Sequence, residues 1–286
     1  MYCGDVGSGG KLRDMNERRF TDSRQFSILC GLLVALLAPR RSWAEPSPAA
    51  VSAFNNYVAG VEARLGLQHH SATNFVAPAG GDPPGDVLRR RGEVLIEDLT
   101  PPDHGELQGA LLHHWRGTAF APGGTAEEFE RILRNFKEYP QRFAPQVLEA
   151  KVLRQDGDRM QASMRVRQKH VLTVVMDTTY DVTFGRLDAR DGYSTSRSTQ
   201  IYEIDAPGTS HEHALSATEE HGFLWRINTY WTYEERDGGL YLQIESVTLS
   251  RSIPVGLGWA IKPFVESVPR ESLEFTLRSA CNALRK

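Results

Sequence analysis

The sequence predicts an α+β protein in which a run of antiparallel strands is closed by one long helix. Three observations carry this. From about residue 146 to residue 250, apolar and polar side chains alternate at period two. A helical stripe of Phe129, Ile132, Leu133 and Phe136 precedes that run. A second stripe, Leu273, Leu277, Ala280 and Leu284, ends the chain.

In chain order, Ser47-Pro48 opens a helix, because serine caps well and proline suits the first helical position. Val51, Phe54, Val58, Val61 and Leu65 give it one apolar stripe that must pack on a larger body, and Gly66 can end it. Residues 68–86, with Ala79-Gly80-Gly81-Asp82-Pro83-Pro84-Gly85, read as a linker. A short strand is expected over Glu93–Leu99 and a second around Gly109–Phe120. Thr125-Ala126-Glu127-Glu128 is a capping box for the next helix, which Pro140 is expected to stop.

The strands follow. Met160, Ala162, Met164 and Val166 form one face of a strand, and Val174, Met176, Tyr180, Val182 and Phe184 one face of the next. Another is expected over Tyr193–Ile204, then a polar loop from Pro207 to His221. The best-specified hairpin joins Gly222–Glu234 to Leu240–Ser250 through Asp237-Gly238, with Arg236 opposite Gly239. That register puts Phe223, Trp225, Ile227, Trp231 and Tyr233 on one face with Leu242, Ile244 and Thr248. It puts Arg226, Asn228 and Tyr230 on the other with Tyr241, Gln243 and Glu245. The final helix is expected from Phe264 to Leu284, with Pro269 kinking or restarting it.

Composition narrows the function classes. Of 286 residues, 40% are apolar and 24% charged, ordinary for a globular chain. The net charge of −3 hides a basic start: residues 1–44 hold seven Lys/Arg and four Asp/Glu, leaving 26 against 32 in the remainder. A mildly acidic body offers nothing to nucleic acid. Arg18, Arg19 and Arg24, the apolar run Phe26–Ala38 and Ser42-Trp43-Ala44 together read as an export signal within 1–44, for which Met15 makes a better start than Met1, cleaved before Glu45. The expected location is periplasmic or secreted. Cleavage would remove Cys3 and Cys30, and Cys281 alone makes neither a disulfide nor a cysteine metal cluster.

Site motifs are sparse. No phosphate loop, nucleophile elbow, HExxH or Cys–His arrangement appears. His211-Glu212-His213 has ligand chemistry but reads as a solvated loop with no second ligand set. His113 and His114 point to opposite faces of a strand, so one at most looks into a cavity. Asp177 and Asp181 stand ~13 Å apart along a strand, too far to share a proton. Neither a metal nor another cofactor is called for, and no catalytic residue is assigned.

From about 106 to 286, the order of strand, helix, strands and long terminal helix resembles the START and polyketide-cyclase-like superfamily, also called SRPBCC. His113-His114-Trp115-Arg116-Gly117, Gly222-Phe223-Leu224-Trp225-Arg226 and Pro269-Arg270-Glu271-Ser272-Leu273 carry the resemblance. It implies a helix-grip fold, a curved sheet around the last helix enclosing an apolar cavity, with residues 45–105 as an N-terminal extension; another α+β roll is the alternative. It also implies a soluble protein that holds an apolar small molecule or lipid, or else a cyclase or aromatase acting in the same cavity. Transient membrane contact would suit a lipid carrier. The candidate cavity wall is Met164, Val166, Met176, Tyr180, Trp225, Ile227, Trp231, Leu242, Ile244, Leu273 and Leu277, although the aromatic stripe fits plain core equally well. Arg226, Tyr230 and Glu245 read first as a solvated sheet face. If that face lines the pocket instead, Tyr230 and Glu245 lie opposite one another and could orient a polar head.

Overall fold

The computed structural model describes residues 45–71, 75–76, 83–102, 106–107, 109–169, 173–252 and 258–285, and the side chains of 83, 84, 106 and 258–266 lie outside what is described. The leader expected over 1–44 is also outside, as are residues 72–74 and 77–82 of the expected linker. Residues from Trp43 to Lys286 form one compact unit.

Helix α1 (Pro48–Gln68) starts where Ser47 Oγ accepts from the Ala50 N–H at 3.1 Å, and it runs two residues past Gly66. A helix not foreseen, α2 (Pro83–Arg90), lies where the linker was expected to continue to residue 86. Its two prolines stand in the first turn, where the backbone N–H has no helical partner to lose. Strands β1 (Leu95–Asp98), β2 (Glu106–Leu107) and β3 (Ala110–Pro122) follow.

Thr125 caps α3 (Ala126–Arg134), its Oγ1 accepting from the Glu128 N–H as the capping box requires. Pro140 does not stop this helix. Asn135, at φ −92° and ψ 69°, ends it first, and Pro140 instead sits in the first turn of a four-residue helix, α4 (Tyr139–Arg142).

The remaining strands are β4 (Val147–Asp156), β5 (Arg159–Lys169), β6 (Thr173–Arg186), β7 (Asp191–Asp205), β8 (His213–Ala214), β9 (Arg226–Arg236) and β10 (Gly239–Arg251). The chain closes with α5 (Gly258–Ala283), and Pro269 lies inside it without ending it. The antiparallel sheet runs β1-β3-β10-β9-β7-β6-β5-β4, with β2 beside β3 and β8 beside β7.

The β9–β10 hairpin has the register read from the sequence, Arg236 opposite Gly239 and Tyr230 opposite Glu245. Asp237 (φ 58°) and Gly238 (φ 78°) both have positive φ, as a two-residue turn of this kind demands. The expected face breaks down only before the strand begins. Gly222 has φ 78° and pairing starts at Arg226, so the alternation has no hold on Phe223 or Trp225. Phe223 is exposed, and Trp225 turns to the opposite side of the sheet from Ile227.

Two apolar layers result. On the inner face, Met160, Ala162, Tyr180, Val182, Phe184, Trp231, Tyr233, Leu240, Leu242 and Ile244 pack with α3 and α5. On the outer face, Ala50, Phe54, Val58, Val61 and Leu65 of α1 cover Ala110, Leu112, Trp225, Tyr230, Val247 and Leu249. Each large apolar side chain so buried contributes about 1.5–3 kcal/mol. Among the described residues no helix is long and apolar enough to cross a membrane.

Candidate ligand-binding site

The sheet holds α5 from both sides. At Gly117 of β3 a Cβ would stand 2.5 Å from Leu277 Cδ1 of α5 and 2.9 Å from Ile96 Cδ1, so any larger residue would have to displace these side-chain ends or the helix. Across the sheet, Gln168 Nε2 at the end of β5 donates to Ser272 Oγ at 3.0 Å. The architecture is a helix grip.

The inner face changes character along its strands. Toward the end of α5, Tyr180, Trp231, Leu242, Ile244, Leu273 and Leu277 are buried together, and this half is closed by the protein's own side chains. Toward the start of α5, Met164, Val166 and Ile227 lie on the same face by register but are only half-buried, with Met176 buried beside them. Trp115, which the sequence reading passed over, joins this second half from β3. Its indole nitrogen is shut from solvent and has no hydrogen-bond partner among the described residues. Buried tryptophan N–H groups normally find one.

The outer face is not solvated as expected. Glu245 and Gln243 are completely buried and Tyr230 nearly so, because α1 lies over them. Glu245 is the hub. Its Oε2 accepts from His114 Nε2 at 2.9 Å and pairs with Arg64, and its Oε1 accepts from Gln243 Nε2 at 3.0 Å. A carboxylate only accepts, so His114 Nε2 carries a proton, while Tyr57 OH lies 2.8 Å from Nδ1 and 3.4 Å from the Leu99 carbonyl. Burial alone would raise the Glu245 pKa, but the His114 hydrogen bond and the Arg64 charge outweigh it and hold the carboxyl below its usual value.

Beside this hub, Tyr230 OH donates to Glu62 Oε1 at 3.0 Å, and Arg197 Nε donates to the same oxygen at 2.7 Å. His69 Nε2 lies 2.9 Å from Thr232 Oγ1, and its ring stacks on Tyr193 with centroids 4.1 Å apart. Burial lowers the His69 pKa to about 4, so this imidazole is neutral. Tyr230, Glu245 and His114 are thus committed to holding α1, whereas Arg226 donates to the Trp225 carbonyl and borders an open cleft on this side.

Other candidates resolve into structure. Glu212 accepts from Arg165 Nη1 at 2.6 Å and from the Gly208 N–H at 2.7 Å, and Arg165 also forks onto both oxygens of Asp177. His213 Nδ1 lies 2.9 Å from the His211 carbonyl. An open cleft of about 800 Å³ on the outer side is lined by Glu45, Val51, Asn55, Tyr202, Glu220 and Trp225 among others. A smaller one of about 440 Å³ surrounds Glu130, Arg134 and Arg186. Neither lies between the sheet and α5.

No family model matches the sequence, and no curated protein matches it. In three dimensions the chain is similar to the Zhui aromatase/cyclase from Streptomyces sp. R1128, at 12% identity and a TM-score of 0.43 over 60% of this chain and 92% of that one. It is similar to a STAR-related lipid transfer protein from Xanthomonas axonopodis, at 13% identity and a TM-score of 0.40 over 64% and 98%. Human STARD10 follows at 12% and 0.39 over 70% and 79%. The helix-grip assignment itself rests on the strand order and register described above.

Proposed function

We propose that this chain is an exported binding protein that holds an apolar small molecule or lipid between the inner face of the sheet and the first half of α5. One observation carries the reading: the inner face is packed shut in one half, while in the other Trp115, Met164, Val166 and Ile227 keep accessible apolar surface. A pocket of this kind combines apolar walls with a few polar groups. Holding is favoured over converting, because Arg226, Tyr230 and Glu245, the groups a cyclase-type acid–base reaction would draw on, belong to the outer face. Export is supported by the basic start, short apolar run and small-residue cleavage pattern of residues 1–44.

The test is native mass spectrometry of the chain purified from its own host. A discrete small-molecule adduct, lost on solvent extraction and regained from a lipid extract, is the expected result. A chain that is empty on isolation and takes up nothing from the extract overturns the proposal. For export, residues 1–44 fused to alkaline phosphatase, which folds only outside the cytoplasm, should give an active enzyme; an inactive fusion would remove that part.

A further inference from the structure

Where the closed half of the inner face meets the open half, the register lines up four polar side chains on neighbouring strands. Ser196 of β7 is opposite Thr229 of β9, Thr229 is opposite Ser246 of β10, and Ser246 is opposite Trp115 of β3. All four share the inner face, since Trp231 and Ile244, two residues from Thr229 and Ser246, lie in the inner core. Strands sit about 4.8 Å apart, so the belt spans ~14 Å across the sheet. Among the described residues no hydrogen bond joins the Ser196, Thr229 or Ser246 hydroxyl to a protein group, and the Trp115 N–H is likewise unpartnered.

On the closed side the next row is Ser194, Trp231, Ile244 and Gly117; on the open side it is Ser198, Ile227, Thr248 and His113. Neither row carries a lysine or arginine. We propose that the belt Ser196–Thr229–Ser246–Trp115 is the floor of the chamber and receives the neutral, oxygen-bearing end of an amphiphile, whose apolar body lies along Ile227, Met164 and Val166. The inference rests on the binding reading above and adds orientation and chemistry to it: the polar end enters first, and it is an alcohol or ketone.

An indole N–H only donates, so its partner must be an acceptor, whereas the hydroxyls serve either way. A hydrocarbon end placed on the belt would strip water from the three hydroxyls, at about 1–3 kcal/mol for each one buried, and leave the Trp115 N–H as unpaired as before. A carboxylate would satisfy the donors but bring a charge to a floor whose own strand rows, among the described residues, hold no lysine or arginine, and an uncompensated buried charge is far more costly.

Three probes with one ring system separate these cases: 9-anthracenemethanol, 9-methylanthracene and 9-anthracenecarboxylate. Each is titrated into the full chain, stripped of bound lipid, with quenching of tryptophan emission as the readout. The alcohol is expected to bind about tenfold tighter than the methyl compound, and the carboxylate weakest. In Thr229→Val/Ser246→Ala and in Trp115→Phe that preference should fall towards parity, while 9-methylanthracene binds at least as tightly to the Thr229→Val/Ser246→Ala protein as to the parent and both variants melt as the parent does. Equal binding of alcohol and methyl compound, tightest binding of the carboxylate, or a preference that survives the substitutions overturns the belt and leaves the binding protein standing. Failure of all three probes to bind, with no lipid adduct either, takes down the binding reading and this inference together.

Discussion

His114 Nε2 and Glu245 Oε2 stand 2.9 Å apart beneath α1, in a part of the sheet that water does not reach. Two strands and one helix meet at this contact, because Tyr57 and Arg64 of α1 close on the same pair. His114→Ala leaves Glu245 short of one donor and Tyr57 with only the Leu99 carbonyl, 3.4 Å away, to accept its proton. The expected loss is roughly 2–3 kcal/mol of unfolding free energy. Urea unfolding followed by circular dichroism measures it; a midpoint equal to the parent's refutes the role given to the contact.

Acid should act on the same layer in two stages. His69 is held neutral with a folded pKa near 4, below its ordinary 6.5. The unfolded chain therefore binds that proton first, and stability falls as pH drops from about 6.5 towards 4. Glu245 has a depressed folded pKa, so its contribution is present above the carboxylate's ordinary 4.5 and is lost as pH falls through the folded value. Melting temperatures from pH 8 to pH 3 should decline in that order. His69→Gln should flatten the first stage alone, and a first stage unaltered in that protein contradicts the assignment.

Gly117 sets how closely α5 approaches β3. Alanine there would place its methyl 2.5 Å from Leu277 Cδ1, and overpacking of this kind costs about 1–3 kcal/mol. Gly117→Ala is expected to unfold at lower denaturant with an unchanged dependence on denaturant. Stability equal to the parent's would show that the helix can shift at no cost.

The two halves of the inner face should answer differently to truncation. Leu277, fully buried in the closed half, should lose about 2–5 kcal/mol on replacement by alanine. Ile227→Ala, in the half-buried region, should lose only about 1 kcal/mol yet weaken ligand uptake. Equal losses at both positions would mean that the second half is packed like the first.

Much of the fold was legible in the sequence because local chemistry and pattern agreed. Asp237-Gly238 could form only a tight turn, and the alternation on either side then fixed every pair in the hairpin. Ser47 and Thr125 announced their helices for the same reason. What escaped were features decided by distant parts of the chain. The period of β9 and β10 marks Tyr230, Gln243 and Glu245 as one face, but nothing local says that α1 will cover it. A signal was present: the stripe Phe54, Val58, Val61 and Leu65 needed a partner, and Leu112, Val247 and Leu249 make that same face turn apolar toward one end. Met164, Val166 and Ile227 were found on the inner face by alternation. The belt beside them was missed, since Ser196, Thr229, Ser246 and Trp115 become neighbours only when four strands are laid side by side.

The cover over the outer face has a consequence for how the molecule is made. Helix α1 lies near the beginning of the chain, yet its resting place is completed by strand β10, which ends at Arg251. During synthesis its greasy side must wait, unaccompanied, until most of the polypeptide has emerged. A fragment that starts after the helix would present that seat bare, and such a piece should clump when expressed alone.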